Sequence, residues 1–165
     1  MATSEPALVR RPEQPYAAIY GVVTMDTIPL IADRLPEVFG WLAERGIPPA
    51  GPPFLRYNAF GPGSRLELEA GVPVTTTVNG AEPVLAGLLP AGRYAVARHT
   101  GPFSQLAGAT RDLLGWAAAR GLAWDRTESP AGERWGCRLE VYLTNPAAEP
   151  DPGTWQTELA FRLAG

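Results

Sequence analysis

Gly40-Trp-Leu-Ala-Glu-Arg-Gly-Ile47 returns 75 residues later as Gly115-Trp-Ala-Ala-Ala-Arg-Gly-Leu122, with five of the eight positions identical. The same offset carries Pro15 onto Pro90, Ile31 onto Leu106, Ala32 onto Ala107 and Val38 onto Leu113. Two of the five tryptophans fall inside the matching octets, so the spacing reads as an internal duplication, two copies of a small module rather than a solenoid. The pseudo-repeats run over about 12–80 and 87–165, inside one domain of 165 residues.

Working outward from the octets, each copy predicts one helix. In the first, Ile28, Ile31, Leu35, Val38, Phe39 and Leu42 follow a 3.6-residue stripe, with Asp26 or Thr27 as N-cap and a kink or restarted turn at Pro36. In the second, Phe103, Leu106, Ala109, Leu113 and Ala117 share a face, with Ser104 as the cap. Gly46 and Gly121 stand where a left-handed C-terminal cap belongs. Strands are expected at Tyr16–Met25, Phe54–Phe60, Leu66–Val74, Gly92–Thr100, Trp135–Leu143 and Trp155–Leu163, with short pairing near Val84–Leu89. The plan is strand–helix–strand–strand, twice. It predicts an α+β fold: one curved antiparallel sheet with the two main helices on one face.

Composition closes several doors. With 14 Lys+Arg against 17 Asp+Glu the net charge is −3, which offers no footprint for direct nucleic-acid binding. One cysteine, Cys137, excludes an internal disulfide and a cysteine zinc cage, and one histidine, His99, leaves little for metal or triad chemistry. No metal and no cofactor are expected. No phosphate-cradling glycine loop, dinucleotide fingerprint or nucleophile elbow occurs. No apolar run is long enough for a membrane span, and the expected location is cytoplasmic.

The strand at 135–143 carries the chemistry. Strict alternation puts Trp135, Cys137, Leu139, Val141 and Leu143 under a helix and Gly136, Arg138, Glu140 and Tyr142 on the other face. Glu140 and Tyr142 then stand about 7 Å apart along that face. Such a pair is either a plain solvated strand face or a carboxylate at the floor of an aromatic groove, where burial would raise its pKa. The hairpin at 54–74 supplies an opposing wall, with Tyr57 on one face and Phe54 and Phe60 on the other. Trp41 and Trp116 read first as residues that close helix onto sheet, with Trp116 retained as a candidate ligand contact.

Three segments, Leu89–Phe103, Leu139–Pro146 and Trp155–Leu163, resemble the GyrI-like small-molecule-binding domain, which is also the effector-binding half of AraC-type and MerR-type regulators. The resemblance covers roughly residues 8–164 and includes the duplicated plan. It implies a groove at the junction of the two modules, lined by aromatics and holding a carboxylate for amphipathic aromatic or cationic compounds. Glu140 matches the family glutamate, Tyr142 the aromatic after it, and Tyr57 an aromatic of the first-half hairpin. Arg138, Phe103 and Trp116 complete the candidate ligand-binding set. Family regulators carry a helix-turn-helix domain for which these residues leave no room, so a free-standing binder is the first expectation. Some members resemble hydrolases that open the cyclopropane of cyclopropanoid natural products, a role in which Glu140 is the general base and Tyr142 a catalytic partner. A gyrase-interacting modulator is the third reading.

Overall fold

Both copies of the octet end a helix in the same way. In the computed structural model, which describes residues 3–165, Gly46 and Gly121 each take φ +66°. The amides of Ile47 and Leu122 turn back to the carbonyls of Leu42 and Ala117, both at 3.0 Å. The conserved Trp and Arg of each copy are an i, i+4 pair. Arg45 lies 3.9 Å from the ring centre of Trp41, and Arg120 lies 4.2 Å from that of Trp116. The motif is therefore a complete helix stop: a stacked cation, then a left-handed glycine.

The elements in chain order are an arm, β1 (Ala7–Arg11), then β2 (Gln14–Thr24), α1 (Pro29–Ala32), α2 (Leu35–Glu44), β3 (Phe54–Phe60) and β4 (Arg65–Pro73) of the first half, then a second arm, β5 (Leu85–Leu89). The second half holds β6 (Gly92–Thr100), α3 (Leu106–Ala119), β7 (Arg126–Ser129), β8 (Gly132–Trp135), β9 (Arg138–Tyr142) and β10 (Gln156–Arg162). The expected first helix is thus two. Pro36 has no N–H to give to the carbonyl of Ala32, so the chain stops at Ala32 and restarts at Leu35. The expected caps are not used. Thr27 instead accepts the Thr24 amide at 2.8 Å, Ile28 is the N-cap of α1 with no side-chain bond, and Ser104 lies inside a 3-10 turn (Phe103–Gln105) ahead of α3.

The antiparallel sheet runs β1-β6-β10-β9-β3-β4-β2-β5, with β8 on β3 and β7 on β8. The middle is the seam between halves, where Leu55 of β3 faces Glu140 of β9. The edges are exchanged. β1, which precedes the first half, pairs with β6 of the second, and β5, which precedes the second, pairs with β2 of the first. Helices α1 and α2 pack over β2 and β4, and α3 packs over β6, all on one face. Among the described residues no helix is centred over the pair β3–β9: α1 and α2 lie to one side, with Ile31 reaching the cluster of Leu55 and Tyr57, and α3 lies to the other, and the strip between them is the furrow.

The face without helices buries itself. Leu89 from β5 and Tyr94 from β6, near opposite edges of the sheet, belong to one cluster with Phe54, Leu139 and Val141. That contact requires the sheet to curl into a half-barrel whose concave side is this cluster.

Here the strand alternation fails twice. Gly136 and Cys137 interrupt the run between β8 and β9: the Gly136 amide bonds Asp125 O at 2.8 Å instead of continuing the ladder. A Cβ on Gly136 would meet the Asp125 carboxylate, which Arg162 holds, so a side chain there would require that carboxylate to move. The break brings Trp135 and Arg138 to the same face, the helix face, while Cys137, Leu139 and Val141 turn to the concave side. The expectation that Cys137, Leu139, Val141 and Leu143 lie under a helix is corrected. In β3 the register slips at Asn58, with Tyr57 opposite Leu68 and Ala59 opposite Glu67. That bulge moves Phe60 onto the face of Tyr57, correcting its expected place beside Phe54; the two rings stack with centroids 6.1 Å apart.

Candidate functional site

Three side chains meet at the seam because their strands are neighbours there. Tyr57 comes from β3, and Glu140 and Tyr142 come from β9. The Tyr57 hydroxyl donates to Glu140 Oε1 at 3.0 Å, and the Tyr142 hydroxyl donates to the same oxygen at 2.8 Å. Glu140 Oε2 has no partner among the described residues and is the open acceptor of the furrow.

Burial raises the Glu140 pKa, against the pull of the two phenol hydrogen bonds and of the Arg138 charge. Tyr57 and Tyr142 are held well above the ordinary phenol value, first by burial and then by the neighbouring carboxylate. Both phenols therefore stay protonated and act as donors, never as bases. Removing one donor should push the carboxyl further up. We expect Tyr142→Phe to raise the midpoint of a carboxyl NMR titration of Glu140 and to cost about 1 kcal/mol of stability. An unmoved midpoint would mean that the 2.8 Å bond does not persist in solution.

Arg138, two residues before Glu140 on the same face, lies in a box of rings. Its guanidinium carbon is 4.6 Å from the centre of Phe60, 4.8 Å from Trp135 and 4.7 Å from Phe161. Phe103 stands on the 3-10 turn before α3, 38% exposed, with its ring 5.5 Å from Tyr142 and 4.7 Å from Trp155. The structure thus gathers Tyr57, Arg138, Glu140, Tyr142 and Phe103 along one furrow. It places Trp116 elsewhere, at the end of α3, under Arg120 and donating to Glu5 at 3.3 Å.

Sequence reasoning missed Phe60, Trp135, Trp155 and Phe161 as furrow neighbours. A glycine inside an otherwise apolar strand run, Gly136, is the one local signal for the phase change that brings Trp135 in. Nothing comparable marks the bulge at Asn58. His99, the lone histidine, is buried, with Nδ1 3.1 Å from Thr3 Oγ1 and Nε2 3.1 Å from Gln105 Oε1. Burial also raises the Cys137 thiol, which suits an inert core residue. Among the described residues no group of three or more His, Cys, Asp or Glu could hold a metal ion, and no helix is long and apolar enough to cross a membrane.

A cavity of about 380 Å³ opens on the opposite, concave face, between Phe54, Leu89, Tyr94, Leu139 and Val141. Its two charged residues, Arg11 and Glu158, bind each other at 3.0 Å. Behind it, Arg56 donates to the Tyr16 hydroxyl at 2.9 Å, and Tyr16 donates to Glu69 at 2.7 Å. On that face the Arg11–Glu158 pair and the Arg56–Tyr16–Glu69 chain use most of their polar atoms on one another and leave Arg56 Nε unpartnered, whereas in the furrow Glu140 Oε2 and the Arg138 guanidinium have no hydrogen-bond partner among the described residues. Uncommitted polar groups amid apolar walls are what a ligand site requires, and this favours the furrow over the cavity opposite.

Comparison with known proteins agrees with this architecture. No curated protein matches the chain in sequence. Among solved structures, EcmrR in its DNA complex superposes with TM-score 0.77 at 17% identity; the match covers 99% of this chain but only 58% of that one. The isolated C-terminal domain of EcmrR gives 0.68 at 17% identity, covering 97% of each chain. A hydrolase from Listeria innocua gives 0.65 at 14% identity, covering 97% of this chain and 92% of that one. SAV2435 bound to tetraphenylphosphonium gives 0.58 at 11% identity, covering 98% and 95%. At such identities the likeness is one of fold. The model of the GyrI-like small molecule binding domain matches residues 4–164, and with its paired modules, curled sheet and seam furrow the chain belongs to that family.

Proposed function

We propose that this chain is a small-molecule-binding module that holds flat, amphipathic aromatic compounds in the furrow over Glu140, in a cytoplasmic setting. One observation carries the reading: a half-buried carboxylate has one oxygen fixed by two phenols and the other open, between aromatic side chains at the seam. Aromatic walls supply apolar area, and the fixed carboxylate supplies orientation at little entropic cost. The family supports a small-molecule ligand, and SAV2435, of the same fold, is bound to tetraphenylphosphonium, an aromatic cation. Titrating the full chain with xanthene and acridine dyes, followed by fluorescence polarisation, should give saturable binding at one site per chain. Non-saturable partitioning of every dye would overturn the proposal.

A second reading is favoured by the raised proton affinity of Glu140 and by the Listeria hydrolase of the same fold. A carboxylate whose pKa lies closer to neutrality is a better general base. Its open oxygen would take a proton from water as that water attacks a cyclopropane carbon. The ring-bond electrons would pass to a conjugated carbonyl, whose oxygen gains a proton to become a phenol. The products equal substrate plus one water. Mass spectrometry of a cyclopropanoid incubated with the protein decides it: a water adduct that disappears in Glu140→Gln supports hydrolysis, and recovery of intact compound refutes it.

A further inference from the structure

The furrow contains two opposite charges that feel each other's field without forming a direct ion pair. Arg138 and Glu140 stand at i and i+2 on one strand face, and no ion pair joins them within 4.0 Å among the described residues. Glu133, the other carboxylate near Arg138, has one oxygen held by the Trp135 indole at 2.6 Å and the other by Arg126 at 2.9 Å. The Arg138 guanidinium donates no hydrogen bond to any described residue, and its nitrogens are not among the side-chain atoms sealed from solvent without a partner. A guanidinium has five N–H donors in one plane, and leaving them unmade in a half-buried site is costly unless something else accepts them.

The aromatic box is also already filled. Phe60, Trp135 and Phe161 turn toward Arg138 the ring density that would otherwise attract a cationic ligand. With one positive and one negative group on its floor, the furrow has no net charge to draw in a bare cation. A cation seated on Glu140 would also sit beside Arg138, and like charges at that range repel.

Resting on the binding proposal above, we infer that this furrow selects dipolar aromatic ligands. Such a compound carries a carboxylate or other strong oxygen acceptor for Arg138 and a donor or cationic edge for the open oxygen of Glu140. Permanent cations that lack an acceptor are discriminated against, and Arg138 is the residue that sets this specificity. Charge-assisted bonds at both poles would also fix the ligand's direction along the seam.

Rhodamine 6G and its free acid test this directly, since they share one chromophore. The first is an ester and a permanent cation; the second carries both a cationic xanthylium and a carboxylate. On the full chain, the acid is expected to bind at least tenfold more tightly than the ester. Arg138→Met should abolish that preference, and Arg138→Lys, which keeps the charge but loses the planar fork, should retain part of it. Circular dichroism and thermal melting identify which variants fold; the comparison of two dyes on the parent stands even if neither does. Equal binding of the two dyes, tighter binding of the ester, or a preference unchanged in folded Arg138→Met would overturn the inference and leave the binding proposal intact. Failure of both dyes to bind the parent would overturn the binding proposal, and this inference with it.

Discussion

At neutral pH the Glu140→Gln protein should unfold at a higher temperature than the parent while binding its ligand at least tenfold more weakly. The two effects share one cause. Burial disfavours the charged carboxylate in the folded state more than the phenols and Arg138 favour it, so its pKa is raised on folding. For a raised acid, the folded state binds the proton more tightly than the unfolded state does. Stability from this group is full below the ordinary carboxylate range and is lost as the pH climbs through the folded value. A neutral amide of the same shape avoids that loss, and its oxygen can still accept from Tyr57 and Tyr142. The gain should shrink as the pH falls and the parent carboxyl becomes protonated. Each kcal/mol gained should shift the melting temperature by about 2–4 °C for a chain of this size. Binding moves the other way, because the open acceptor becomes an amide donor. A hydrogen bond to a charged group contributes about 1.5–3 kcal/mol, roughly ten- to 150-fold in affinity. Melting curves at pH 4 and pH 7, together with dye titrations, check both halves. A variant that melts lower at pH 7, or that binds as the parent does, contradicts this account.

Phe161→Ala should be the most destabilising of the substitutions considered, at about 3–5 kcal/mol. The Phe161 ring is 1% exposed and lies against Trp124 and Trp135, at 5.8 Å and 5.7 Å between centroids. Its deletion leaves a cavity under α3 and removes one wall of the Arg138 box. The loss is a large share of the stability of an ordinary domain, and the melting temperature should fall on the order of 10 °C. Because Arg138 loses a stacking partner, dye selectivity should change along with stability. Denaturant titration measures the first and the pair of rhodamine dyes the second. A loss below about 1 kcal/mol would mean that the surrounding tryptophans close the gap by themselves.

Most of the fold is legible from residue order alone, because each copy of the octet is a local device that acts through its own backbone. The left-handed Gly ends each helix through its own backbone, with Arg stacked on Trp beside it, and Pro36 interrupts one for equally local reasons. The strand at 156–162 keeps its alternating orientation, though Ala160 is buried as well because the concave cluster covers the second face. The furrow's two chief groups, Glu140 and Tyr142, are legible by their spacing on one strand, and Tyr57 through the family resemblance. What the sequence conceals is phase. A single irregular residue reverses every side chain beyond it, and the groups that meet such residues lie outside the strand itself: Asp125 beside Gly136, and Glu69 of β4 bonded to Asn58. The Arg138 box is invisible for that reason, since three of its four members reach it only after a bulge or from another strand. Strand β1 has no apolar alternation to announce it, because it lies at the sheet edge and buries no face fully.

The traded edge strands bear on how such a molecule holds together. A solitary module would have an unpaired border along β2 and a loose arm with nothing to lie on. Two solitary modules would cure both defects by lending arms to each other, which is the arrangement of a domain-swapped homodimer. Here the partner is tethered by the segment between β4 and β5, so the exchange holds at any dilution. Cutting the chain in that segment should yield halves that cannot stand apart yet recombine, and the seam with its furrow would exist only in the reunited pair.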